Sequence, residues 1–396
     1  MNREDFPLLE QNIIYFDNAA TTLKPRILSE TISDYYNNYS ANTHRGDYDI
    51  SIKVDKKFEE TRTLVKEFIN AKSNKEIIFT SGATDSLNKI VFGYFKYNLK
   101  ENDEIILTKS EHASNLLPWF ELADELNLNI KYIELDNLKV NIDNLKSIIT
   151  PNTKVISLAL ITNVIGDIRP IKDIIKYAHE NNILVVGDGA QYVAHKSTDV
   201  TDLDIDFLAF SAHKMYGPTG VGVLYGKEEL LNNMKPVSFG GGMNASFQSD
   251  KTRIYDDLPL LLEAGTPNIA GVIGFGSVIK YLNNIGMDKI EEYELSLKDY
   301  ALNKLKGIKD IKIINENTDS SIITFNLSDI FAQDLAIYLN KYNICVRAGN
   351  HCAKILKEVI KVKNTVRISF SFYNTKEEID YLIKVLNNPN IKDEII

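Results

Sequence analysis

One lysine, Lys214, lies in a sequence context that suits covalent capture of an aldehyde. It follows the short apolar run 207–210, has Ser211 and His213 beside it, and precedes a glycine-rich turn. A lysine amine attacks a carbonyl when it is held still and partly desolvated, because its neutral form is then accessible. Small polar side chains and glycines leave space for a phosphate and a flat ring. The segment alone does not distinguish such a site from a solvated lysine at a strand end.

Other polar residues that pyridoxal phosphate would need follow further apolar runs. Asp188 closes one run, where a carboxylate would keep a pyridinium nitrogen protonated; an aspartate that caps a helix would occupy the same position. His112 could lie over the ring face, although a lone histidine also suits a surface or core position. Asn163 and Gln191 could reach the phenolic oxygen of the ring or the substrate.

A phosphate cradle is predicted at residues 80–85, a Thr-Ser-Gly-Ala-Thr-Asp turn that contains Ala83 and Thr84. The turn follows an apolar run and opens a helix, so that backbone N–H groups and the positive end of the helix dipole face outward. Small residues after a strand are common. This segment therefore supports a cofactor site only together with its partners.

Two arginines and a cysteine near the C-terminal end could hold a substrate. Arg367, at the start of a strand, is predicted to bind an α-carboxylate, because a guanidinium fork binds carboxylates through two hydrogen bonds. The alternative is a solvated charge at a sheet edge. Cys352 lies in a polar loop with Arg347 nearby, which favours an exposed thiolate. Cys345, within an apolar strand, is predicted to be an inert core thiol.

The elements that would position these residues form an α/β pattern. Apolar β-rich runs alternate with amphipathic helical segments, and two of the runs are almost continuously apolar, which is typical of parallel strands covered on both faces by helices. The predicted strands are 76–80, 104–108, 130–134, 154–160, 183–187, 207–210 and 221–225. Ligands bind beyond the carboxyl ends of such strands, so we expect the polar residues that follow them to meet at one rim.

A second, smaller α+β domain is predicted after a long helical pattern that starts near Ile269. Its predicted strands are 311–314, 322–326, 344–347 and 366–369, and its predicted helices are 331–342 and 375–386. We therefore divide the chain into a large cofactor-binding domain, 16–280, and a small C-terminal domain, 281–396, which carries the cysteine loop and on which residues 1–15 pack. A length of 396 residues fits two domains, because single cores stop growing at about 250–300 residues.

Composition argues against several functional classes. The 54 acidic and 45 basic side chains are interspersed and give a formal charge of −9, which argues against a nucleic-acid surface or an anionic-membrane footprint. No apolar run approaches the roughly 18 residues of a membrane span, and the first residues do not resemble a secretory signal. The two cysteines lack the spacing of a zinc site or a disulfide framework, which predicts a reducing cytoplasm and no metal site.

Motifs along almost the whole chain carry a family resemblance. They include Ser-Ala-His-Lys at 211–214 and Arg-Ala-Gly-Asn-His-Cys at 347–352, and the further segments are 15–22, 43–46, 81–84, 111–119, 163–166, 188–191, 240–242 and 263–268. In this order they resemble the class V aminotransferase-fold enzymes of fold type I, and in particular the group II, SufS/CsdA-type cysteine desulfurases. The resemblance implies a pyridoxal phosphate transferase fold with a large cofactor-binding domain and a small C-terminal domain.

The resemblance also implies roles for individual residues. Lys214 would hold the cofactor covalently, and Thr266 would reach across a homodimer interface into the neighbouring site. The cofactor-binding residues implied in this way are Ala83, Thr84, His112, Asn163, Asp188, Gln191, Ser211, His213, Lys214 and Thr266. The substrate residues implied are Arg367 and Asn163, with Arg347 and His44 close by.

The activity implied is the conversion of L-cysteine to L-alanine, with the sulfur held as a persulfide on Cys352 and passed to a small acceptor protein for iron–sulfur cluster or other sulfur-cofactor assembly. Lys214, Cys352 and His112 would be the catalytic residues. Two departures from the family pattern occur. In the loop, the family usually has Thr and His or Gln at the positions of Ala348 and Asn350, and after His112 some relatives have a second His where Ala113 stands here. The short interval from Cys352 to the substrate arginine predicts slow turnover unless an acceptor docks.

Three other functions remain open at this stage. A selenocysteine lyase shares almost every residue named above, so only the preference for selenocysteine over cysteine would separate the two. A true aminotransferase or a kynureninase-like enzyme has no use for Cys352 and would transfer an amino group to a keto acid or act on another substrate. A non-catalytic scaffold would have no reason to retain Lys214, Asp188 and Arg367 together, and it would show no cofactor absorbance.

Overall fold

A computed structural model of the protein describes residues 2–44 and 46–394. Arg45 of the 43–46 motif and residues 1, 395 and 396 of the predicted domain ranges lie outside the described residues, as do the side chains of residues 244 and 245. The strands are β1 (Ile14–Tyr15), β2 (Ile77–Thr80), β3 (Glu104–Thr108), β4 (Asn129–Ile133), β5 (Leu135–Asp136), β6 (Lys139–Val140), β7 (Thr153–Ala159), β8 (Leu184–Asp188), β9 (Phe207–Ser211), β10 (Gly222–Gly226), β11 (Asn244–Phe247), β12 (Arg253–Tyr255), β13 (Ile311–Ile313), β14 (Ile322–Leu327), β15 (Ile344–Cys345), β16 (Arg347–Gly349) and β17 (Thr365–Ser369).

Helices surround these strands. They are α1 (Arg26–Asn38), α2 (Asp49–Phe68), α3 (Ala83–Ile90), α4 (Lys96–Asn98), α5 (Leu117–Leu126), α6 (Ile142–Ile148), α7 (Ile171–Glu180), α8 (Tyr192–His195), α9 (Val200–Leu203), α10 (Glu228–Leu231), α11 (Ile269–Ile285), α12 (Met287–Leu305), α13 (Ala332–Asn340), α14 (Lys357–Ile360), α15 (Lys376–Leu386) and α16 (Ile391–Glu394). None of the helices within residues 2–44 and 46–394 is both long enough and apolar enough to cross a bilayer.

The central sheet of the described chain has seven strands in the order β2-β10-β9-β8-β7-β3-β4. Strands β9, β8, β7, β3 and β4 pair in parallel, which confirms the predicted α/β fold with a mostly parallel sheet. Strand β10 is the exception, because it runs antiparallel to both β9 and β2. It starts at Gly222, too soon after Ser211 at the end of β9 for the crossover helix that a parallel pair requires.

Hydrophobic cores on both faces explain the continuous apolar runs. Successive strand residues point to opposite faces, so Val185 of β8 belongs to one buried cluster and Val186 to another. The first cluster includes residues of α1, α2, α7 and α11, and the second includes residues of α3 and α5. With helices on both faces, the polar residues that follow the strands are confined to the sheet's ends.

A smaller antiparallel sheet follows, in the order β13-β14-β17-β16. Residues of α12, α13 and α15 join it in a separate core. Phe16 also belongs to this core, and β1 pairs in parallel with β15. Residue 280 lies inside α11, and Gly286, with φ +92°, separates that helix from α12. The division of the chain at 280 and 281 stays a prediction.

Candidate active site

A cavity of about 230 Å³ lies at the carboxyl ends of the central strands, where Ala159, Asp188 and Ser211 end β7, β8 and β9. Side chains from the smaller sheet close its other side. Sequence reasoning named most of the polar lining in advance, and the structure brings these predicted residues together: Ala83, Thr84, His112, Asn163, Asp188, Gln191, Ser211, His213, Lys214, Arg347 and Arg367. The carboxyl-end rule for parallel sheets accounts for this convergence.

Lys214 lies in a short 3-10 turn that follows β9 directly, so the sheet fixes where its side chain begins. Burial lowers the pKa of its amine, and the positive charges of Arg367 and Arg347 act in the same direction. The negative charges of Asp188 and Cys352 partly oppose that shift. The neutral, nucleophilic amine is therefore more accessible than it is for a lysine in water.

Asp188 is the last residue of β8 and is 5% exposed. Its Oδ1 accepts a hydrogen bond of 3.0 Å from the backbone N–H of Ala190, so one carboxylate oxygen is held by the turn that follows the strand. The carboxylate lines the same cavity as the Lys214 amine. A cation such as a protonated ring nitrogen would find its counter-charge there.

The predicted phosphate cradle is already partly hydrogen-bonded. The backbone N–H of Ala83, at the start of α3, donates to Ser211 Oγ at 2.7 Å, and Thr84 Oγ1 lies 2.7 Å from Ser114 Oγ. Strand β10 passes directly behind the turn, where a side chain at Gly222 would collide with the backbone of Gly82. Hydroxyl groups and a helix N-terminus thus converge at one end of the cavity, as an anion requires.

His112 is fixed as one tautomer by the residues that follow it. Its Nδ1 accepts a hydrogen bond of 3.1 Å from the backbone N–H of Ser114. A neutral imidazole that accepts at Nδ1 carries its proton on Nε2. Burial lowers the pKa of His112, and the charge of Lys214 lowers it further, so the ring is neutral near pH 7 and presents an N–H group. Ser114 was not singled out from sequence, because it follows no strand.

Four polar atoms on cavity-lining residues are buried and have no hydrogen-bond partner among the described residues: Asn163 Oδ1, Gln191 Oε1, His351 Nδ1 and Arg367 Nε. An unsatisfied buried polar group costs about 1–3 kcal/mol. Such groups accumulate where a bound molecule supplies the missing partners. The residues present therefore fit a polar cofactor and substrate in this cavity.

Arg347 of β16 and Arg367 of β17 lie directly opposite each other on adjacent antiparallel strands. Like charges in that register are destabilising unless an anion lies between them. Asp17 supplies part of this compensation, because its Oδ1 lies 2.9 Å from Arg367 Nη2, while Arg367 Nη1 donates to the carbonyl of Asn163 at 2.8 Å. Among the described residues this carboxylate forms an ion pair with Arg367 and not with Arg347, so a substrate carboxylate between the two arginines would complete the neutralisation. Sequence reasoning missed Asp17 as the partner.

Cys352 is exposed and lies in a loop that is attached at two points to the segments that follow β3 and β7. Its carbonyl accepts a hydrogen bond of 2.8 Å from the N–H of Ala113, and the carbonyl of His351 accepts one of 2.8 Å from Asn163 Nδ2. The N–H of Cys352 donates to Asn350 Oδ1 at 3.2 Å, so the asparagine that departs from the family pattern closes the turn. The thiol-bearing residue is thereby held next to His112 and Asn163.

The conformation of this loop is unusual. His351 and Cys352 both have positive φ values, +51° and +59°. Residues other than glycine rarely adopt such values, and those that do cluster at functional sites. His351 Nε2 donates to Thr365 at the start of β17, and burial followed by the charges of Arg367 and Arg347 lowers the pKa of His351 to about 3. This neutral histidine anchors the loop to the small sheet.

The predicted catalytic residue Cys352 is not among the residues that line the Lys214 cavity, although its neighbour His351 is. Two further predicted residues, His44 and Thr266, do not line that cavity either. They line a separate, smaller cavity together with Gly242 and Glu263. The backbone N–H of His44 donates to Asp55 Oδ1 at 2.6 Å, and this hydrogen bond holds His44 in place in the wall of that cavity. Within one chain the two residues therefore belong to a different surface from Lys214.

Comparison with known proteins agrees with this geometry. The family model described as Aminotransferase class-V matches residues 14–382. A relative from Ureaplasma parvum named "Probable cysteine desulfurase" is 42% identical over 99% of this chain and 98% of its own length, and one of the same name from Halalkalibacterium halodurans is 40% identical over 96% and 95%. The crystal structure of the cysteine desulfurase CsdA (S-sulfonic acid) from Escherichia coli superposes with a TM-score of 0.93 at 34% identity, covering 100% of this chain and 98% of that one.

The fold and the family match define the class first: the chain belongs to the class V aminotransferase family. Within that family it belongs with the cysteine desulfurases, since relatives of that name match it over nearly the full length of both chains. The predicted family, enzyme class and pyridoxal phosphate cofactor are confirmed.

Proposed function

We propose that this chain converts L-cysteine to L-alanine and holds the released sulfur as a persulfide on Cys352. One observation carries the proposal: an exposed cysteine is tied by backbone hydrogen bonds beside His112 and Asn163, both of which line the cavity that contains the buried amine of Lys214. An aminotransferase needs the lysine but has no use for a thiol held in that position.

Pyridoxal phosphate, when bound, would supply an electron sink that weakens the bonds at the α-carbon of the substrate. Lys214 would bind its aldehyde carbon, and Asp188 would stabilise the charge on its ring nitrogen. His112 would cover the ring face, and Gln191 would lie at the phenolic oxygen. The phosphate would be held by Ala83, Thr84, Ser211 and His213.

The substrate carboxylate would lie at the opposite end of the cavity from the phosphate cradle, between the two strands that carry Arg347 and Arg367. Asp17 orients the Arg367 guanidinium from one side, at 2.9 Å, and the carbonyl of Asn163 orients it at 2.8 Å. Asn163 Oδ1 and Arg367 Nε are two of the buried atoms that lack a partner in this cavity among the described residues. These contacts would hold an amino acid with its side chain directed toward the cysteine loop.

The net reaction is balanced without an external oxidant. The Cys352 thiolate attacks the sulfur of L-cysteine, an S–S bond forms, and the C–S bond breaks with its electron pair remaining on carbon. That carbon takes up a proton and leaves as the methyl group of L-alanine. The neutral amine of Lys214 is suited to accept the α-proton, and the Nε2–H of His112 is suited to deliver a proton next to the departing carbon and sulfur.

The partners belong to the same proposal. His44 and Thr266 share a cavity away from Lys214, and in a homodimer they would complete the site of the partner subunit. The sulfur on Cys352 would pass to a small acceptor protein in the reducing cytoplasm, where both cysteines of the chain stay free. The acceptor would feed iron–sulfur cluster or other sulfur-cofactor assembly.

Incubation of the purified holoenzyme with L-cysteine and a reductant tests the proposal. Equal amounts of alanine and sulfide are expected with the reductant, and in a parallel incubation without reductant the persulfide is expected on the peptide that contains Cys352. Cys352→Ser should retain cofactor absorbance but form no persulfide, whereas Cys345→Ser, the matched control on β15, should behave as the wild type. Normal sulfide release by the Cys352→Ser variant, or amino transfer to a keto acid in place of alanine formation, would contradict the assignment.

A further inference from the structure

The segment that follows Cys352 carries a strip of exposed positive charge. Four lysines, Lys354, Lys357, Lys361 and Lys363, lie within the next eleven residues, and all four are exposed. We call these four residues the lysine strip. The chain as a whole carries a formal charge of −9, so the strip has the opposite sign to the protein's net charge. Its position immediately after the exposed thiol calls for a physical explanation.

The strip is held in place by an apolar underside. Ala353 and Leu356 are buried in a small cluster with Val164 and Ile165, and Val359 packs against the same cluster. Lys354 and Lys357, three residues apart, lie on the outer face of this short helical stretch, and Lys361 follows as the residue that caps its C-terminal end. Because the underside is anchored to the loop after β7, the positive charge keeps a fixed position relative to Cys352.

The strip is not neutralised from within the described chain. Glu358, the one acidic residue among the lysines, pairs instead with Lys109 at 3.0 Å, and none of the four lysines forms an ion pair with another described side chain. Other exposed lysines, such as Lys139 with Asp319, are paired. Like charges at these spacings destabilise a helical turn by a few tenths of a kcal/mol each. The lysines therefore oppose local stability and remain available to an external anion.

We propose that the lysine strip selects sulfur acceptors that carry an acidic surface next to the receiving thiol. This inference rests on the proposed function, in which Cys352 carries a persulfide. The acceptor thiolate attacks the outer sulfur, a new S–S bond forms in the acceptor, and the S–S bond at Cys352 breaks with Cys352 leaving as a thiolate. One sulfur atom moves and no external oxidant or reductant is required. Opposite charge accelerates the encounter and orients the acceptor over the thiol.

Two synthetic peptides of equal length provide the probe, each with one cysteine, flanked by glutamates in one and by lysines in the other. The holoenzyme is loaded with isotopically labelled sulfur from L-cysteine and freed of excess substrate, and sulfur transfer to each peptide is followed by mass spectrometry. We expect the acidic peptide to react at least about tenfold faster at low salt. The preference should largely disappear in high salt, because the Debye length falls from about 10 Å at 0.1 M to about 3 Å at 1 M.

Reversing the charge of two lysines of the strip tests whether the peptide preference originates there. Lys357→Glu combined with Lys361→Glu should abolish or invert the peptide preference, yet leave alanine formation with the neutral reductant dithiothreitol unchanged. The matched control is Lys309→Glu combined with Lys312→Glu. Both lysines are exposed; Lys312 lies in β13 and Lys309 lies just before it, and β13 and β16 form opposite edges of the small sheet. This control should keep the wild-type preference.

The possible failures are distinguishable. Equal rates for the two peptides on a persulfide-loaded wild type, or a preference that survives the Lys357 and Lys361 reversal, would refute the role of the strip alone. Slower alanine formation with dithiothreitol in the reversed variant would place the strip in catalysis and also refute it as a docking surface. A wild type that forms no persulfide would refute the proposed function and the strip's role with it.

Discussion

The side-chain amine of Lys24 donates a hydrogen bond of 2.6 Å to the backbone carbonyl of His213, the residue before Lys214. The same carbonyl also accepts from Thr21 Oγ1 at 2.9 Å and from the N–H of Thr22 at 3.2 Å. These donors converge on one peptide group, and that peptide is the one from which Lys214 extends. The N-terminal segment therefore fixes the base of the proposed cofactor lysine.

Replacement of Lys24 by methionine should loosen the peptide that carries Lys214. Below about pH 7, where the Lys24 amine is protonated, its hydrogen bond comes from a charged group and contributes about 1.5–3 kcal/mol, so we expect cofactor retention at that pH to fall by about ten- to a hundredfold. Equilibrium dialysis, with the absorbance of bound cofactor as readout, measures the loss. Lys24→Arg keeps a cationic donor and should retain most of the affinity; equal losses in both variants would show that packing, not the hydrogen bond, is responsible.

The same lysine predicts how stability depends on pH. Burial lowers the pKa of Lys24 from 10.5 to about 7 in the folded chain. Between these values the unfolded chain binds a proton that the folded chain does not, so the free energy of unfolding contributed by this site rises with pH. Relative to Lys24→Met, the wild type should gain up to about 1.4 kcal/mol per pH unit above about pH 7. Urea denaturation of both proteins across this range measures the difference, and parallel pH profiles would contradict the assignment.

Much of the site was predictable because parallel strands deliver their ends to one rim, so the strand pattern predicted that Asp188 and Lys214 lie close together, while their roles came from the family resemblance. The antiparallel direction of β10 was not predicted, because the direction in which a strand pairs depends on the length and path of the connection that precedes it. Asp17 and Lys24 were also missed. Their partners, Arg367 and His213, are 350 and 189 residues away in sequence, and no local pattern encodes such contacts.

Arg367→Lys should weaken substrate binding more than it weakens the chemical step. Arg367 is 1% exposed and contacts both Asp17 and the Asn163 carbonyl through separate nitrogens of its fork, a geometry that an ammonium group cannot reproduce. We expect the KM for L-cysteine to rise by about tenfold or more, the equivalent of at least about 1.4 kcal/mol, with a smaller change in kcat. Arg347→Lys, at the more exposed position, serves as the comparison and should raise KM less. An unchanged KM in Arg367→Lys would place the carboxylate elsewhere.

Asn350→Ala should slow sulfur transfer without disturbing the cofactor. The asparagine side chain accepts the N–H of Cys352 at 3.2 Å and so holds a residue whose φ is +59°. Loss of one such hydrogen bond costs about 1 kcal/mol, and we expect persulfide formation in single-turnover experiments to slow by about three- to tenfold. The cofactor spectrum should match that of the wild type. If the cofactor spectrum changed together with the rate of persulfide formation, the loop would affect the cofactor itself.

Glu111→Ala should lower the free energy of unfolding more than the removal of any surface ion pair. Its carboxylate is fully buried and accepts hydrogen bonds from Thr108 Oγ1 at 2.6 Å, Asn115 Nδ2 at 2.9 Å and the N–H of Ala159 at 2.6 Å. Arg169, also buried, lies 3.7 Å away and would lose part of its counter-charge. Breaking a buried ion pair by removing one partner costs about 3–5 kcal/mol, so the urea midpoint should fall markedly.

An exposed ion pair provides the control for that prediction. Lys172 and Asp202 lie 2.8 Å apart with side chains 63% and 61% exposed, and such pairs contribute about 0–1 kcal/mol. Lys172→Met should therefore leave the urea midpoint nearly unchanged. Because Glu111 precedes His112 and Ala159 ends β7 beside the cavity, any Glu111→Ala protein that still folds should also lose cofactor. If Glu111→Ala and Lys172→Met have the same unfolding free energy, the buried network does not stabilise this edge of the sheet.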